Sequence, residues 1–198
     1  MKRPAVFLDR DNTLIVSDGY LGDPAKVVLV EGAAELIAKV RERGYAVVVV
    51  SNQSGIGRGM FSEEDTDAVN ARLDELLGRE NRNAVVDAHY YCPHHPQAPI
   101  ERYRRECDCR KPKPGMLLRA ARELELDLSR SWMVGDAPRD IEAGAAAGCR
   151  TIMFVDARLR ASGATAERGT AVADFTAGSL DQVAQYILSA SETEPKVS

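Results

Sequence analysis

Long apolar runs, a surplus of positive charge and an abundance of cysteine are all missing from this 198-residue sequence. No apolar stretch approaches the roughly 18 residues needed to span a bilayer, which argues against a membrane-spanning helix. The first residues, Met1-Lys2-Arg3-Pro4, lead into no long apolar segment of the kind a secretory signal carries, so the expected compartment is the cytoplasm. Basic side chains number 26 against 30 acidic ones, a formal charge of -4, and that balance creates no field to draw in nucleic acid. Four cysteines in a cytoplasmic chain of this size are better explained as metal ligands, catalysts or core residues than as a disulfide framework.

What is present is the composition of a folded unit, with 44% hydrophobic and 28% charged residues and a length that suits one domain. That domain is expected to cover residues 1–189, as a monomer, and the polar residues 190–198 to form a disordered tail. Short β-branched runs alternate with amphipathic segments, the pattern of a parallel sheet wrapped by helices in an α/β fold. Strands are predicted over residues 5–8, 45–50, 84–91, 132–134 and 151–155. Ala33, Leu36, Ile37 and Val40 recur at helical spacing and Gly44 ends that helix. Ser62 is placed to cap a second helix running through Leu77, and further helices are predicted from Met116 to Leu124, Ile141 to Ala147 and Leu180 to Leu188. Between Cys92 and Pro114 the periodicity disappears, so something other than secondary structure must order the segment.

Chemistry concentrates where predicted strands end. Asp9 and Asp11 stand two residues apart after the first strand, and two such acids repel one another unless a cation relieves them. Mg²⁺ suits a site of this kind because it takes one or two carboxylates and keeps waters and phosphate oxygens as its other ligands. Ser51 follows the second strand and opens a glycine-rich loop, Asn52 to Gly59, able to cradle phosphate oxygens. Lys111 and Lys113 precede a helix and either could neutralise phosphate charge. Asp136 follows the strand at 132–134, and Asp140 lies one turn further on, as a metal-water ligand or an exposed first-turn acid.

Cys92, His94, Cys107 and Cys109 form C-x-H followed by C-x-C, a closed soft-ligand set for structural Zn²⁺ that would order the loop at about 92–110. His95 is an alternative to His94, and buried thiols are the alternative to zinc. Cys149, alone among Ala and Gly, is expected to be a small core residue.

From Ala5 to Val155 the sequence resembles the haloacid dehalogenase superfamily of phosphohydrolases. Asp9, Asp11 and Thr13 match its Asp-x-Asp-x-Thr loop; Ser51, Lys111, Asp136 and Asp140 match its later positions in order. The resemblance implies a Rossmann-like parallel sheet, Asp9 as nucleophile, and Asp11 as the group that protonates the leaving oxygen and then activates water. It also implies Mg²⁺ bound by Asp9, Asp136 and the main-chain carbonyl of Asp11, with Ser51 and Lys111 holding the phosphoryl group. Lys111, not Lys113, fits the family's Lys-Pro pattern. Asn12 departs from the glycine many relatives carry, and Asn tolerates the left-handed backbone expected there.

The zinc-loop residues with Arg110 and the Ser51–Ile56 segment further resemble the bacterial heptose-bisphosphate phosphatases. That implies a small phosphorylated sugar as substrate and a minimal cap in which the zinc loop shapes the pocket. By the same resemblance Thr13 and Arg110 meet the substrate, while Asn52 and Arg58 recognise the sugar or its second phosphate. Arg58 also fits a solvated loop charge, and Arg102, Arg104 and Arg105 either attract an anion or solvate the loop. Histidinol-phosphate phosphatases share both loops and are the alternative, together with a broad sugar-phosphate phosphatase. A catalytically silent phospho-ligand binding module would be expected to lack one of the two acids Asp9 and Asp11, and both are present.

Overall fold

Runs of buried β-branched and aliphatic residues set the sheet. The computed structural model describes residues 2–157 and 171–192. Its strands are β1 (Ala5–Leu8), β2 (Ala46–Asn52), β3 (Ala88–Cys92), β4 (Trp132–Gly135), β5 (Arg150–Phe154) and β6 (Phe175–Ala177). They form one sheet in the order β3-β2-β1-β4-β5-β6, with every neighbouring pair parallel. The chain moves outward from β1 to β3, then returns to the other side of β1 and moves outward again. The order therefore reverses between β1 and β4, the place where open α/β sheets leave a crevice beyond the carboxyl ends of their strands.

The helices are α1 (Ala33–Glu42), α2 (Ser54–Gly57), α3 (Glu63–Glu80), α4 (Gly115–Glu123), α5 (Pro138–Ala147) and α6 (Leu180–Glu192). Alternate strand residues face opposite ways. Val6, Leu8, Val47, Val49 and Val134 join Leu36, Ile37, Val69, Leu73 and Ile187 in one core layer, under α1, α3 and α6. Ala5, Phe7, Val48, Val50 and Met133 join Met116, Leu117, Ala120 and Ala143 in the other, under α4 and α5. Cys149 lies in that second layer, where burial pushes its thiol up to about 12.

Local sequence explains the ends. Ser62 caps α3 through a reciprocal pair with Asp65, and Gly44 takes φ 82° just beyond α1. The third strand starts at Ala88, four residues later than the sequence predicts, because the Asp87 carboxylate takes the Val47 N–H at 2.8 Å and pairs with Arg3 and Arg41. The short elements α2 and β6 were not predicted, and α6 continues to Glu192, into the stretch expected to be a tail. Residues 193–198 lie outside the described residues. Among those described, no helix is long and apolar enough to cross a membrane.

Residues 93–114 hold no helix longer than a turn at Glu101–Tyr103, and side chains order them instead. Ile56, Ala98 and Tyr103 form a small apolar cluster with Phe61, Tyr91 and Ile100 around it. Both Tyr91 and Tyr103 donate their hydroxyls to Glu63 in the first turn of α3. Arg102, Arg104 and Arg105 are all exposed, as arginines that solvate the loop would be, and they also brace it. Arg104 donates to the carbonyls of Ala98 and Pro99 at 2.6 and 2.8 Å, Arg105 meets His94 Nε2 at 2.6 Å, and Arg102 lies over the Tyr103 ring.

Candidate active site

The reversal between β1 and β4 brings two strand-end acids together. Leu8 pairs with Val134 in register, and the Asp9 N–H donates to the Val134 carbonyl at 2.9 Å. Asp9 and Asp136, each one step past its strand, are joined by Asp140 from the first turn of α5, with carboxylate oxygens all within 4.8 Å of one another. Asp140 is fully buried, accepts the Ala137 N–H at 3.1 Å and so caps its helix; it is no exposed acid. Lys111 reaches into the group, with Nζ 2.6 Å from Asp9, 2.7 Å from Asp140 and 2.7 Å from the Val50 carbonyl. Lys113 is exposed and lies 3.6 Å from Glu106 instead.

Lys111 alone does not balance three carboxylates, of which Asp9 and Asp140 are buried and Asp136 half-buried. Burial alone would pull the Lys111 pKa down, but Asp140 and Asp9 outweigh it and raise it, so the ammonium stays charged. Burial, then the charges of Asp9 and Asp140, push Asp136 up to about 7. Asp136 Oδ1 is buried with no hydrogen-bond partner among the described residues. Excess negative charge and an unused carboxylate oxygen are what a hard divalent cation satisfies, so the residues fit Mg²⁺.

Asp11 sits on the other side of the turn. The loop folds back through Leu14 N–H and Ile15 N–H to the Arg10 carbonyl, and Asn12 takes φ 58°, the left-handed backbone expected of it. The Asp11 carboxylate accepts from Gln53 Nε2 at 2.8 Å and from Ser51 Oγ at 3.4 Å, and Arg10 stands 3.2 Å away. Gln53 also meets Ser51 at 2.6 Å. Sequence analysis singled out neither Gln53 nor Arg10; the only signal was their position beside Ser51 and between the two acids. Thr13 is fully buried and its hydroxyl has no partner among the described residues.

Asn52 holds the main chain of Lys111: its amide donates to the Lys111 carbonyl and its oxygen accepts the Lys111 N–H, both at 3.0 Å. Arg110 donates to the His94 carbonyl at 3.2 Å. Arg58 lies exposed on α2's end, 3.4 Å from His95 Nε2 and over the Tyr20 ring. Burial, then the charges of Arg110 and Arg58, lower the His95 pKa.

Cys92, His94, Cys107 and Cys109 converge. Their sulfurs are 3.2, 3.3 and 3.5 Å apart, and His94 Nδ1 lies 3.4 and 3.7 Å from two of them. A tetrahedral zinc with arms of about 2.3 Å has edges of about 3.7 Å, within roughly half an ångström of these separations. Contact with the Cys92 sulfur, opposed by burial and joined by Cys107 and His94, draws the Cys109 thiol down to about 5, so one donor is already suited to the thiolate form. His95 lies outside the cluster, its Nδ1 accepting the Gln97 N–H, and the histidine that joins the three thiols is His94. The cluster adjoins the catalytic crevice directly, since the Gln53 N–H donates to the Cys92 carbonyl at 2.8 Å and Lys111 follows Cys109 by two residues.

A strand-end aspartate, a second acid two residues on, a buried lysine and a cation-fitting carboxylate group on this sheet define a haloacid dehalogenase-like hydrolase, and the chain is a phosphatase. The HAD-hydrolase-like family model matches residues 108–177. The D-glycero-beta-D-manno-heptose-1,7-bisphosphate 7-phosphatase of Vibrio cholerae is 42% identical over 95% of this chain and 98% of its own length. Its namesake in Escherichia coli K12 is 43% identical over 77% of this chain and 78% of the relative. The crystal structure of D,D-heptose 1,7-bisphosphate phosphatase from B. bronchiseptica, complexed with magnesium and phosphate, aligns with a TM-score of 0.77 and 30% identity, covering 94% of this chain and 99% of that one. A HAD-like phosphatase from Mesorhizobium loti aligns with a TM-score of 0.81 and 36% identity, over 97% of this chain and 87% of the other. The chain belongs to the heptose-bisphosphate phosphatase family of HAD-like hydrolases.

Proposed function

We propose that this enzyme removes the 7-phosphate of D-glycero-D-manno-heptose 1,7-bisphosphate through a phospho-aspartate on Asp9. The observation that carries the reading is Asp9 held at 2.6 Å by a buried lysine in a carboxylate group that fits a divalent cation. The Asp9 carboxylate attacks phosphorus and the ester bond breaks, Asp11 giving its proton to the departing alcohol oxygen. Asp11 then takes a proton from water as the water oxygen attacks the same phosphorus, which releases phosphate and restores Asp9. Lys111 and Ser51 hold the phosphoryl oxygens, and the buried Thr13 hydroxyl is available to a substrate oxygen. Asp9, Asp136 and the Asp11 carbonyl would hold Mg²⁺, which supplies charge neutralisation to the transferred group. Cys92, His94, Cys107 and Cys109 would hold a structural Zn²⁺ that leaves no position open for substrate.

The relatives' names supply the substrate, and the rim supports it: Arg58 and Arg110 both bear on His95 and suit a second phosphate. The cationic alcohol of histidinol phosphate would meet repulsion there. Unpaired thiols suit the reducing cytoplasm in which this single-domain enzyme would act as a monomer. The test is phosphate release with Mg²⁺ from both anomers of heptose 1,7-bisphosphate, fructose 1,6-bisphosphate and histidinol phosphate, with Asp9→Asn alongside. Preference for a heptose bisphosphate, abolished by the substitution, supports the proposal; preference for histidinol phosphate overturns the substrate and keeps the chemistry.

A further inference from the structure

Arg10 has no part in the chemistry above, yet it is one of the largest fully buried side chains in the molecule, 1% exposed. A buried guanidinium persists only when paired. Its two terminal nitrogens point to different elements: Nη2 stands 3.2 Å from Asp11 Oδ2 and 3.4 Å from Oδ1, and Nη1 donates to Asn70 Oδ1 at 3.1 Å. Asn70 is itself buried, on α3. Arg10 Nε has no partner among the described residues, so the group is not placed to satisfy every donor; it is placed to reach Asp11 and Asn70 together. Gln53 and Ser51 address Asp11 from the β2 side. The planar fork of an arginine fixes direction in a way a lysine's point charge does not.

We propose that Arg10 is the positioning residue of Asp11: its guanidinium, anchored by Asn70 on α3, holds the carboxyl group at the angle from which it passes a proton to the leaving oxygen and takes one from water. The inference rests on the acid–base role given to Asp11 under Proposed function. Arg10 touches neither the phosphoryl group nor the cation in this assignment. Its loss therefore disturbs proton transfer and leaves phosphoryl binding in place, a separation that a purely structural arginine would not produce.

The test compares a sugar phosphate with p-nitrophenyl phosphate in the Mg²⁺-loaded, zinc-containing enzyme, for wild type, Arg10→Met and Asn70→Ala. Nitrophenolate departs without being protonated, so the first step survives on that ester while water activation is slowed. Arg10→Met is expected to lower kcat on the sugar phosphate about 100-fold, the scale of general acid–base catalysis, with KM little changed. On p-nitrophenyl phosphate it should release a burst of one nitrophenolate per enzyme before slow turnover. Asn70→Ala keeps the charge and loosens the anchor, so the same split is expected at about tenfold, and this variant carries the test if Arg10→Met does not fold. Equal losses on both esters without a burst, or full sugar-phosphate turnover in Asn70→Ala, overturn the inference alone. Wild-type inactivity on both esters overturns the function beneath it, and the inference with it.

Discussion

The Lys111 ammonium lies 2.7 Å from Asp140 Oδ1, and both side chains are 0% exposed. The same nitrogen stands 2.6 Å from Asp9, so this lysine is paired with two buried carboxylates at once. Lys111→Met leaves those carboxylates uncompensated. It is expected to destabilise the protein by about 3–5 kcal/mol, the cost of breaking a buried ion pair from one side, and to abolish turnover. Urea unfolding followed by circular dichroism measures the first, and phosphate release the second.

Asp136→Asn should act in the opposite direction on the metal-free protein. Burial and the charges of Asp9 and Asp140 weigh against its ionised form, so replacing the carboxylate with a neutral isostere relieves repulsion. In magnesium-free buffer the variant is expected to unfold at a higher temperature than wild type. Adding Mg²⁺ should raise the wild-type unfolding temperature and leave that of the variant unmoved, because a cation ligand is gone. A variant that melts lower than wild type without magnesium would contradict this account of the site's charge.

Thiol reactivity separates the two kinds of cysteine. Cys92, Cys107 and Cys109 lie with His94 in the cluster that fits zinc, whereas Cys149 is a buried core thiol pushed up to about 12. With zinc bound, a thiol reagent should label native protein slowly at all four. A chelator is expected to release about one zinc per chain and to expose the three cluster thiols, with Cys149 reacting only on denaturation. His94→Ala should lose the zinc and His95→Ala retain it, as measured by metal analysis of the purified variants.

What could be read from the sequence was local, and what could not was the meeting of distant side chains. The strand-end acids and Ser51 announce themselves because each stands beside its own apolar run, and the candidate zinc ligands because four metal-binding side chains crowd into one loop. The hold that Asn52 has on the main chain of Lys111 could not be read, because the two are 59 residues apart. Arg10 drew no reading at all, because its anchor, Asn70, is 60 residues off on a helix face. The strand β6 escaped because three residues give too little alternation to register.

Gly115 shows how closely the zinc loop is seated on α4. Its N–H donates to the Asp108 carbonyl at 3.0 Å, and a Cβ built there would meet that carbonyl oxygen at 2.5 Å and its carbon at 2.6 Å. The obstacle is backbone lying between two zinc ligands, so no rotamer change can clear it. Gly115→Ala is expected to cost about 1–3 kcal/mol, as overpacking does, and to weaken zinc retention against a chelator.

Asn12 carries two effects that substitution can separate. Its backbone is left-handed, at φ 58°, and its side-chain oxygen accepts the Ser17 N–H at 2.9 Å, tying the catalytic turn to the segment that follows it. Asn12→Gly loses the side-chain bond, worth about 1 kcal/mol, and gains a residue with no left-handed penalty, so the two changes nearly cancel. Asn12→Val loses the same bond and adds about 1–2 kcal/mol of backbone strain. The valine variant should therefore be the less stable by about that margin in urea unfolding, and the strain falls between Asp11 and Thr13, where it would also displace the acid. If glycine and valine destabilise equally, the Ser17 bond alone holds the turn and backbone conformation contributes nothing.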